Sequence, residues 1–213
     1  MKKPKRTLSE AELTKARSKT KWDLGNDVLY RLCKKHPHHA KDDEIIAKTW
    51  LIGRSYAAAI ERRRTAAAGS DDFYVGTVAP TIRRSGIDSW LRALPTKNGT
   101  AEKCAAAAIE THKRVLNLFK QITGLEKRSL ASKYLHFHRP DLFFIYDSRA
   151  MKAIRVLTPD SSHCSKIIAA TSDQEYLRFY RRCLWLQTQL RNTTGRELTP
   201  REIDKILLFV ADR

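Results

Sequence analysis

The sharpest pattern in the chain is an apolar stripe between Thr100 and Gly124. Ala105, Ala108, Ile109, His112, Val115, Leu116, Phe119 and Ile122 recur at helical spacing, and Gly124 follows as a helix-ending glycine. The stripe predicts a long helix against a core, with His112 as a core histidine. Upstream, Ile45, Ile52, Tyr56, Ala59 and Ile60 fall near a 3.6-residue period. They predict one long helix over residues 44–64, capped by Asp42 or Asp43 and stopped by Gly69. Ser9 and Glu12 have capping-box spacing, which predicts a helix from Ser9 inside an otherwise mobile basic arm over residues 1–22. Residues 27–36 read as a short helix ended by His36-Pro37, and residues 70–95 as short helical pieces around Pro80, Gly86 and Pro95.

Downstream, Gly124-Leu125-Glu126 reads as a tight turn into a helix over residues 127–138, stopped at Arg139-Pro140. The apolar bridge 142–146 (LFFIY) leads to Asp147, which opens a helix over residues 148–157 ending near Pro159. Asp173 opens another helix, with Tyr176, Tyr180, Cys183, Gln187 and Leu190 on one side. Thr199-Pro200-Arg201-Glu202 combines a cap, a proline at the first helical position and a capping-box glutamate before a last helix toward Val210. No strand ladder, internal repeat or low-complexity linker interrupts the series. The fold class is therefore all-α, with about eight to ten helices at the usual length of roughly 11–12 residues.

Charge narrows the partners. The 213 residues carry 41 Lys plus Arg against 23 Asp plus Glu, a net +18, while 42% hydrophobic residues suffice for a core. A folded domain so basic favours polyanions, because each neutralised phosphate releases condensed counterions. Nucleic acid is the leading partner. The basic residues cluster at Lys2, Lys3, Lys5 and Arg6, at Arg62, Arg63 and Arg64, at Lys127 and Arg128, and at Arg181 and Arg182. An anionic membrane surface is the rival, but no segment sets a basic face against large apolar residues without a core partner. No apolar run approaches the roughly 18 residues of a membrane span, and the N-terminal charges lack the apolar stretch of a secretory signal. Cys33, Cys104, Cys164 and Cys183 form no Cys-x-x-Cys pair, so no metal site, cofactor or disulfide framework is expected, and a cytoplasmic setting is simplest.

The stretch from Gly124 to Leu157, a helix end, a glycine turn, a second helix, an apolar bridge and Tyr146-Asp147-Ser148 opening a third helix, resembles the helix-hairpin-helix DNA glycosylase superfamily. The resemblance covers about 35 residues. It implies a two-lobed helical bundle with a cleft between the lobes. Residues 1–39 would pack as a basic arm and helix with the C-terminal lobe, residues 40–138 would form the contiguous lobe ending in the hairpin, and residues 139–213 would form the lobe carrying Asp147. It also implies that Asp147 faces the flipped nucleotide and is catalytic, while Gly124 and its neighbouring amides hold a DNA phosphate. Breaking an N-glycosidic bond builds oxocarbenium-like charge on the sugar, and a fixed carboxylate stabilises it and orients the attacking water. The extrahelical base must first leave the stack, which costs a few kcal/mol and selects for damaged or modified bases.

The departures define the expected variant. The family's hairpin reads Pro-Gly-hydrophobe-Gly, whereas Ile122-Thr123-Gly124-Leu125-Glu126 keeps the first glycine and places an acid at the second. The lysine nucleophile of bifunctional members would fall at Arg128, whose guanidinium cannot act so. A monofunctional glycosylase is expected, with Lys127 or Lys133 as reserve nucleophiles. A narrower resemblance, to prokaryotic anti-phage glycosylases that excise heavily modified bases, implies defence against phage as an alternative to repair.

The candidate backbone contacts to double-stranded DNA are Lys127, Arg128, Lys133, Arg149, Arg62 and Arg63, and the base-pocket candidates are Arg54, Tyr56, His136 and His138. No obligatory protein partner is implied. Simpler readings stand beside these. Asp147 is also an ordinary N-cap; Asp23, Asp42 and Asp43 read as caps or loops; Trp50 reads as core; His36, His38 and His39 read as a solvated loop. His136 and His138 point about 200° apart on a helix and cannot both face one site. Gly53 allows close approach of another backbone. The functional rival is a non-catalytic DNA-binding protein that uses the hairpin for grip; a nuclease lacks the clustered carboxylates of a magnesium site.

Overall fold

The computed structural model describes residues 4–62, 73–96, 100–160 and 172–213. These residues are all-α and contain no strand. The helices are α1 (Glu10–Arg17), α2 (Lys21–Lys35), α3 (Asp42–Ser55), a π-helical turn (Tyr74–Val78) continuing into α4 (Ala79–Arg83), α5 (Ile87–Arg92), α6 (Ala101–Thr123), α7 (Arg128–His138), α8 (Ser148–Leu157), α9 (Gln174–Thr194) and α10 (Pro200–Ala211). No helix among the described residues is long and apolar enough to cross a membrane.

The capping signals formed as their residue types require. Ser9 with Glu12 and Thr199 with Glu202 each make reciprocal capping boxes, and Gly124 closes α6 at φ 75°, where a side chain would be strained. Two elements differ from the sequence pattern. Helix α3 ends at Ser55 rather than running to residue 64, because Ala57 takes φ 50° and the Ala58 amide bonds back to the Gly53 carbonyl at 2.7 Å. The chain folds over Gly53 so closely that a Cβ there would lie 3.0 Å from the Ala59 Cα. Gly69, the expected stop, lies outside the described residues. Helix α2 begins at Lys21, six residues earlier than the apolar pattern suggests, since Thr20 and Asp23 form a capping box.

The N-terminal segment from Pro4 is docked rather than free. Leu13 and Ala16 are buried, the Arg6 amide bonds the Val156 carbonyl at 3.0 Å, and Glu12 pairs with Arg6 and Arg213. Helix α1 thereby packs on α10, which lies along α8; α9 packs on α8 and α6. Helix α7 is enclosed by α2, α3 and α6, so that every residue from Leu130 to Phe137 is buried. Any polar residue on that helix must find its partners inside the protein.

The bridge between α7 and α8 shows this. Residues Leu142 to Tyr146 are buried outside any helix, where their backbone polar groups would be costly to leave unpaired. Tyr180 donates to the Leu142 carbonyl at 2.7 Å, Tyr176 to the Phe144 carbonyl at 3.0 Å, and His136 Nδ1 bonds the Phe143 carbonyl at 2.7 Å. The Tyr146 amide donates to Ser132 Oγ at 3.0 Å. The residue before Asp147 is thus fixed to α7.

Candidate active site at the Lys133–Asp147 pair

Asp147 sits at the N-cap of α8 and uses its two oxygens separately. Oδ1 accepts from the Ala150 amide at 2.9 Å, while Oδ2 lies 3.3 Å from Lys133 Nζ. Capping and pairing therefore coexist in one carboxylate, whose side chain stays 26% exposed. The Lys133 side chain is 3% exposed. Its ammonium also donates to Ser129 Oγ at 2.8 Å and lies 5.5 Å from the centre of the Tyr56 ring. Burial pushes the Lys133 ammonium below the usual lysine range, and Asp147 and then Asp204 restore part of the loss.

A second carboxylate and a guanidinium stand behind this pair. Asp204 on α10 is 2% exposed and ion-paired with Arg201, which also reaches Asp23 at 3.3 Å. Lys205 closes the outer edge on Asp23 at 3.0 Å. Burial raises the Asp204 carboxyl to about 6, with Arg201 opposing and the Asp147 charge adding to the rise. Partial burial raises Asp23 too, but the Thr20 amide, Lys205 and Arg201 outweigh it and hold it at about 2. Asn26 on α2 accepts from the Tyr56 hydroxyl at 2.7 Å. Five elements thus converge on one cluster: α2, the end of α3, α7, the start of α8, and α10. Desolvating this many charges works against stability unless they serve something else, which marks the cluster as a functional candidate.

The base-pocket candidates separate. Tyr56 reaches the cluster. Arg54 stays at the surface, paired with Glu61 at 2.7 Å and lying over Trp50, which is exposed rather than core. His136 is fully buried, donating from Nδ1 to Phe143 and accepting the Tyr30 hydroxyl at Nε2 at 2.6 Å, so it offers no edge to a base. His138 donates from Nδ1 to the Tyr134 carbonyl and stacks on His39.

The proposed phosphate contacts are mostly engaged within the protein. Gly124 N–H donates to the Lys120 carbonyl and Leu125 N–H to Thr123 Oγ1, so these two amides close the turn instead of facing a phosphate. Arg128 is bound by Asp173, Glu175 and Glu126, and Lys127 donates to the Arg62 carbonyl. Arg149 pairs with Asp212. Arg62 follows α3 in a turn and donates to the Ala57 carbonyl; Arg63 lies outside the described residues. Lys133 is too buried for a backbone contact and belongs to the Asp147 site.

His39 is not in a solvated loop. It is 2% exposed, donates from Nδ1 to Asp88 at 2.6 Å and accepts the Tyr134 hydroxyl at 2.8 Å. The buried Lys48 donates to the carbonyls of His36 and His38, closing the turn between α2 and α3. His112 is the expected core histidine, stacked on Tyr176 at 3.6 Å. No group of three metal-ligating side chains occurs among the described residues.

Sequence reasoning missed Asp204, Arg201, Ser129, Ser132 and Asn26. A signal existed for Asp204, since it interrupts the buried stripe Ile203, Ile206, Leu207, Val210 of α10. No protein-family model matches the chain, and neither does a curated protein or a solved structure.

Proposed function

We propose that the protein is a DNA glycosylase that hydrolyses the N-glycosidic bond of an extrahelical base, with Asp147 as the carboxylate that stabilises the sugar cation and positions water. The observation that carries this reading is the buried Lys133 held against a half-open carboxylate at the start of the helix after the hairpin. That is where the superfamily resemblance puts its aspartate. The +18 charge supplies a reason for DNA to bind. The Ala150 amide and the Lys133 ammonium each donate to one oxygen of this carboxylate, which fixes its orientation at the start of the helix.

The test is mass spectrometry of free bases released from a panel of damaged, mispaired and phage-modified duplexes. Release names the substrate and separates repair from defence. Tight, salt-sensitive binding with no release from any duplex overturns the reading in favour of a non-catalytic DNA-binding protein.

A second reading adds a lyase step and is favoured by one observation: Lys133, not Lys127 or Arg128, is the amine beside the carboxylate, and burial lowers its ammonium. An uncharged amine there would form a Schiff base at C1′ of the sugar with release of water from the abasic aldehyde. Borohydride reduction during turnover decides it, since a covalent DNA adduct mapping to Lys133 requires this step and its absence restricts the protein to hydrolysis.

A further inference from the structure

We propose that a groove between α6 and the α4–α5 turn binds a nucleotide, its phosphate on Arg84 and Arg114 and its base against Trp90 and the side-chain amides of Asn117 and Gln121. The groove is built from other elements than the Asp147 cluster, so the inference stands whether or not that cluster is catalytic. Two adjoining cavities, of about 350 Å³ and about 160 Å³, share Ser85, Leu118 and Gln121. The larger falls in the range of small-molecule sites, roughly 300–1,000 Å³, and has room for more than a bare phosphate ion. On α6, Arg114, Asn117 and Gln121 stand at i, i+3 and i+7, so they share one exposed helix face beside the buried Leu118. On the other wall, Ser85 ties down the α4–α5 turn: its hydroxyl donates to the Ile82 carbonyl at 2.7 Å and accepts from the Ile87 amide at 3.3 Å. Trp90 rests on Gly86, where a Cβ would lie 2.6 Å from the indole Nε1 and 2.9 Å from Cε2. Gly86 has φ −82°, which any residue adopts, so the indole rather than the backbone keeps a side chain out of that position.

The polar groups of this groove are left for a ligand. Among the described residues, no hydrogen bond or ion pair engages the side chains of Arg84, Asn117 and Gln121 or the Trp90 indole N–H. The adjacent Arg83, by contrast, is held by Asp42 at 2.6 Å. Arg114 pairs with the exposed Glu110 one turn back, a solvated contact that a phosphate can replace. No carboxylate lines either cavity among the described residues, so nothing there repels an anion. Guanidinium groups take phosphate oxygens, side-chain amides pair with the donor–acceptor edges of bases, and an indole stacks on their faces. An uncharged sugar would leave the arginines unanswered, and a bare anion would leave the amides and the indole so. The same chemistry is offered by a free mononucleotide and by one unit of a nucleic-acid strand.

The experiment uses the full chain labelled with 15N on tryptophan, with the Trp90 indole signal assigned by its loss in Trp90→Phe. The probes are the deoxynucleoside monophosphates, a short single-stranded oligothymidylate and inorganic phosphate. The expected result is a saturable shift of the Trp90 signal by a mononucleotide or by the oligonucleotide, with half-saturation raised at least about tenfold in Arg84→Ala and at least about threefold in Gln121→Ala. Arg155→Ala, which removes one exposed charge from α8, should stay within about twofold of the unmutated protein, so that a general loss of positive charge is separated from loss of the site. Saturation by thymidine monophosphate within about tenfold of the oligothymidylate concentration assigns free nucleotides as the source, and saturation by the oligonucleotide alone assigns a strand. A Trp90 signal that no probe shifts overturns the proposal. So does inorganic phosphate acting as strongly as any nucleotide, an unaltered half-saturation in Arg84→Ala or Gln121→Ala, or an equal weakening in Arg155→Ala. Arg84 and Gln121 are both exposed, and if one variant does not fold the other decides by the same criterion.

Discussion

Acidification from pH 7.5 to about pH 5 is expected to unfold this protein, because four histidines are locked neutral inside it. Burial holds His39 and His136 at about 4, and His112 and His138 at about 3, against 6.5 for an ordinary histidine. A group whose folded value is depressed binds its proton in the unfolded chain first, so stability is full above pH 6.5 and falls as pH drops toward the folded values. Each pH unit in that window costs about 1.4 kcal/mol per histidine, so four histidines at pH 5 cost about 8 kcal/mol. Asp204 works in the opposite direction: its raised value destabilises the fold at neutral pH and is relieved below 6, returning about 1 kcal/mol at pH 5. The net loss of about 7 kcal/mol is comparable with the whole stability of a typical domain. Urea unfolding followed by circular dichroism at half-unit pH steps gives the proton uptake from the slope, expected to be about two and a half to three protons between pH 6 and 5 once the proton released from Asp204 is subtracted from those taken up by the histidines. His138→Phe keeps the aromatic packing against His39, removes the unpartnered buried Nε2, and should lower that slope by about one proton. A stability that is flat to pH 5, or a slope unchanged in His138→Phe, would refute the reasoning.

Three further outcomes follow from named contacts. Lys133→Met should leave thermal stability equal or higher, since it exchanges a buried charge for an apolar chain beside a carboxylate that is still solvated, while base release drops by about 100-fold or more; a large fall in Tm would contradict the balance of costs. Ser132→Ala removes the acceptor of the buried Tyr146 amide, which should cost about 1–3 kcal/mol in urea unfolding and slow release by loosening Asp147, whereas an unaltered protein would show that water replaces the hydroxyl. Arg128→Ala should lower stability through Asp173 and Glu175 and leave the salt dependence of DNA binding unchanged in slope; a slope smaller by about one would return Arg128 to the phosphate contacts.

Most of the helical order was legible because caps and stripes are local. Thr100 to Gly124, Asp147 and Thr199 each mark a helix end with a side chain that satisfies backbone groups within a few residues. The α3 end was not legible, since Tyr56, Ala59 and Ile60 keep the apolar period while the backbone reverses at Ala57 to pack over Gly53, a tertiary contact that the period does not encode. Asp147 was legible as a cap and, through the resemblance, as a candidate carboxylate. Its partner was not, because Lys133 reads as one of many surface cations until α2, α3 and α6 close around α7 and force its ammonium inward. The same enclosure turned His136 into a backbone clamp for Phe143. Arg128, Lys127 and Arg149 read as phosphate contacts from charge alone, yet each has an acid or carbonyl within reach that sequence distance conceals, 45 residues away for Arg128 and Asp173 and 63 for Arg149 and Asp212.

The central claim is that Asp147 performs chemistry at the cluster rather than merely capping α8. Its most direct test is single-turnover base release by the unmutated protein and by Asp147→Asn on the duplex with the highest release, with binding to the same duplex measured in parallel. Asparagine retains a side-chain oxygen for the Ala150 amide, so the cap survives while the charge is lost. The account predicts unchanged folding and DNA binding with release reduced at least about 1,000-fold. Release retained within about tenfold in a folded, DNA-binding Asp147→Asn protein would contradict it.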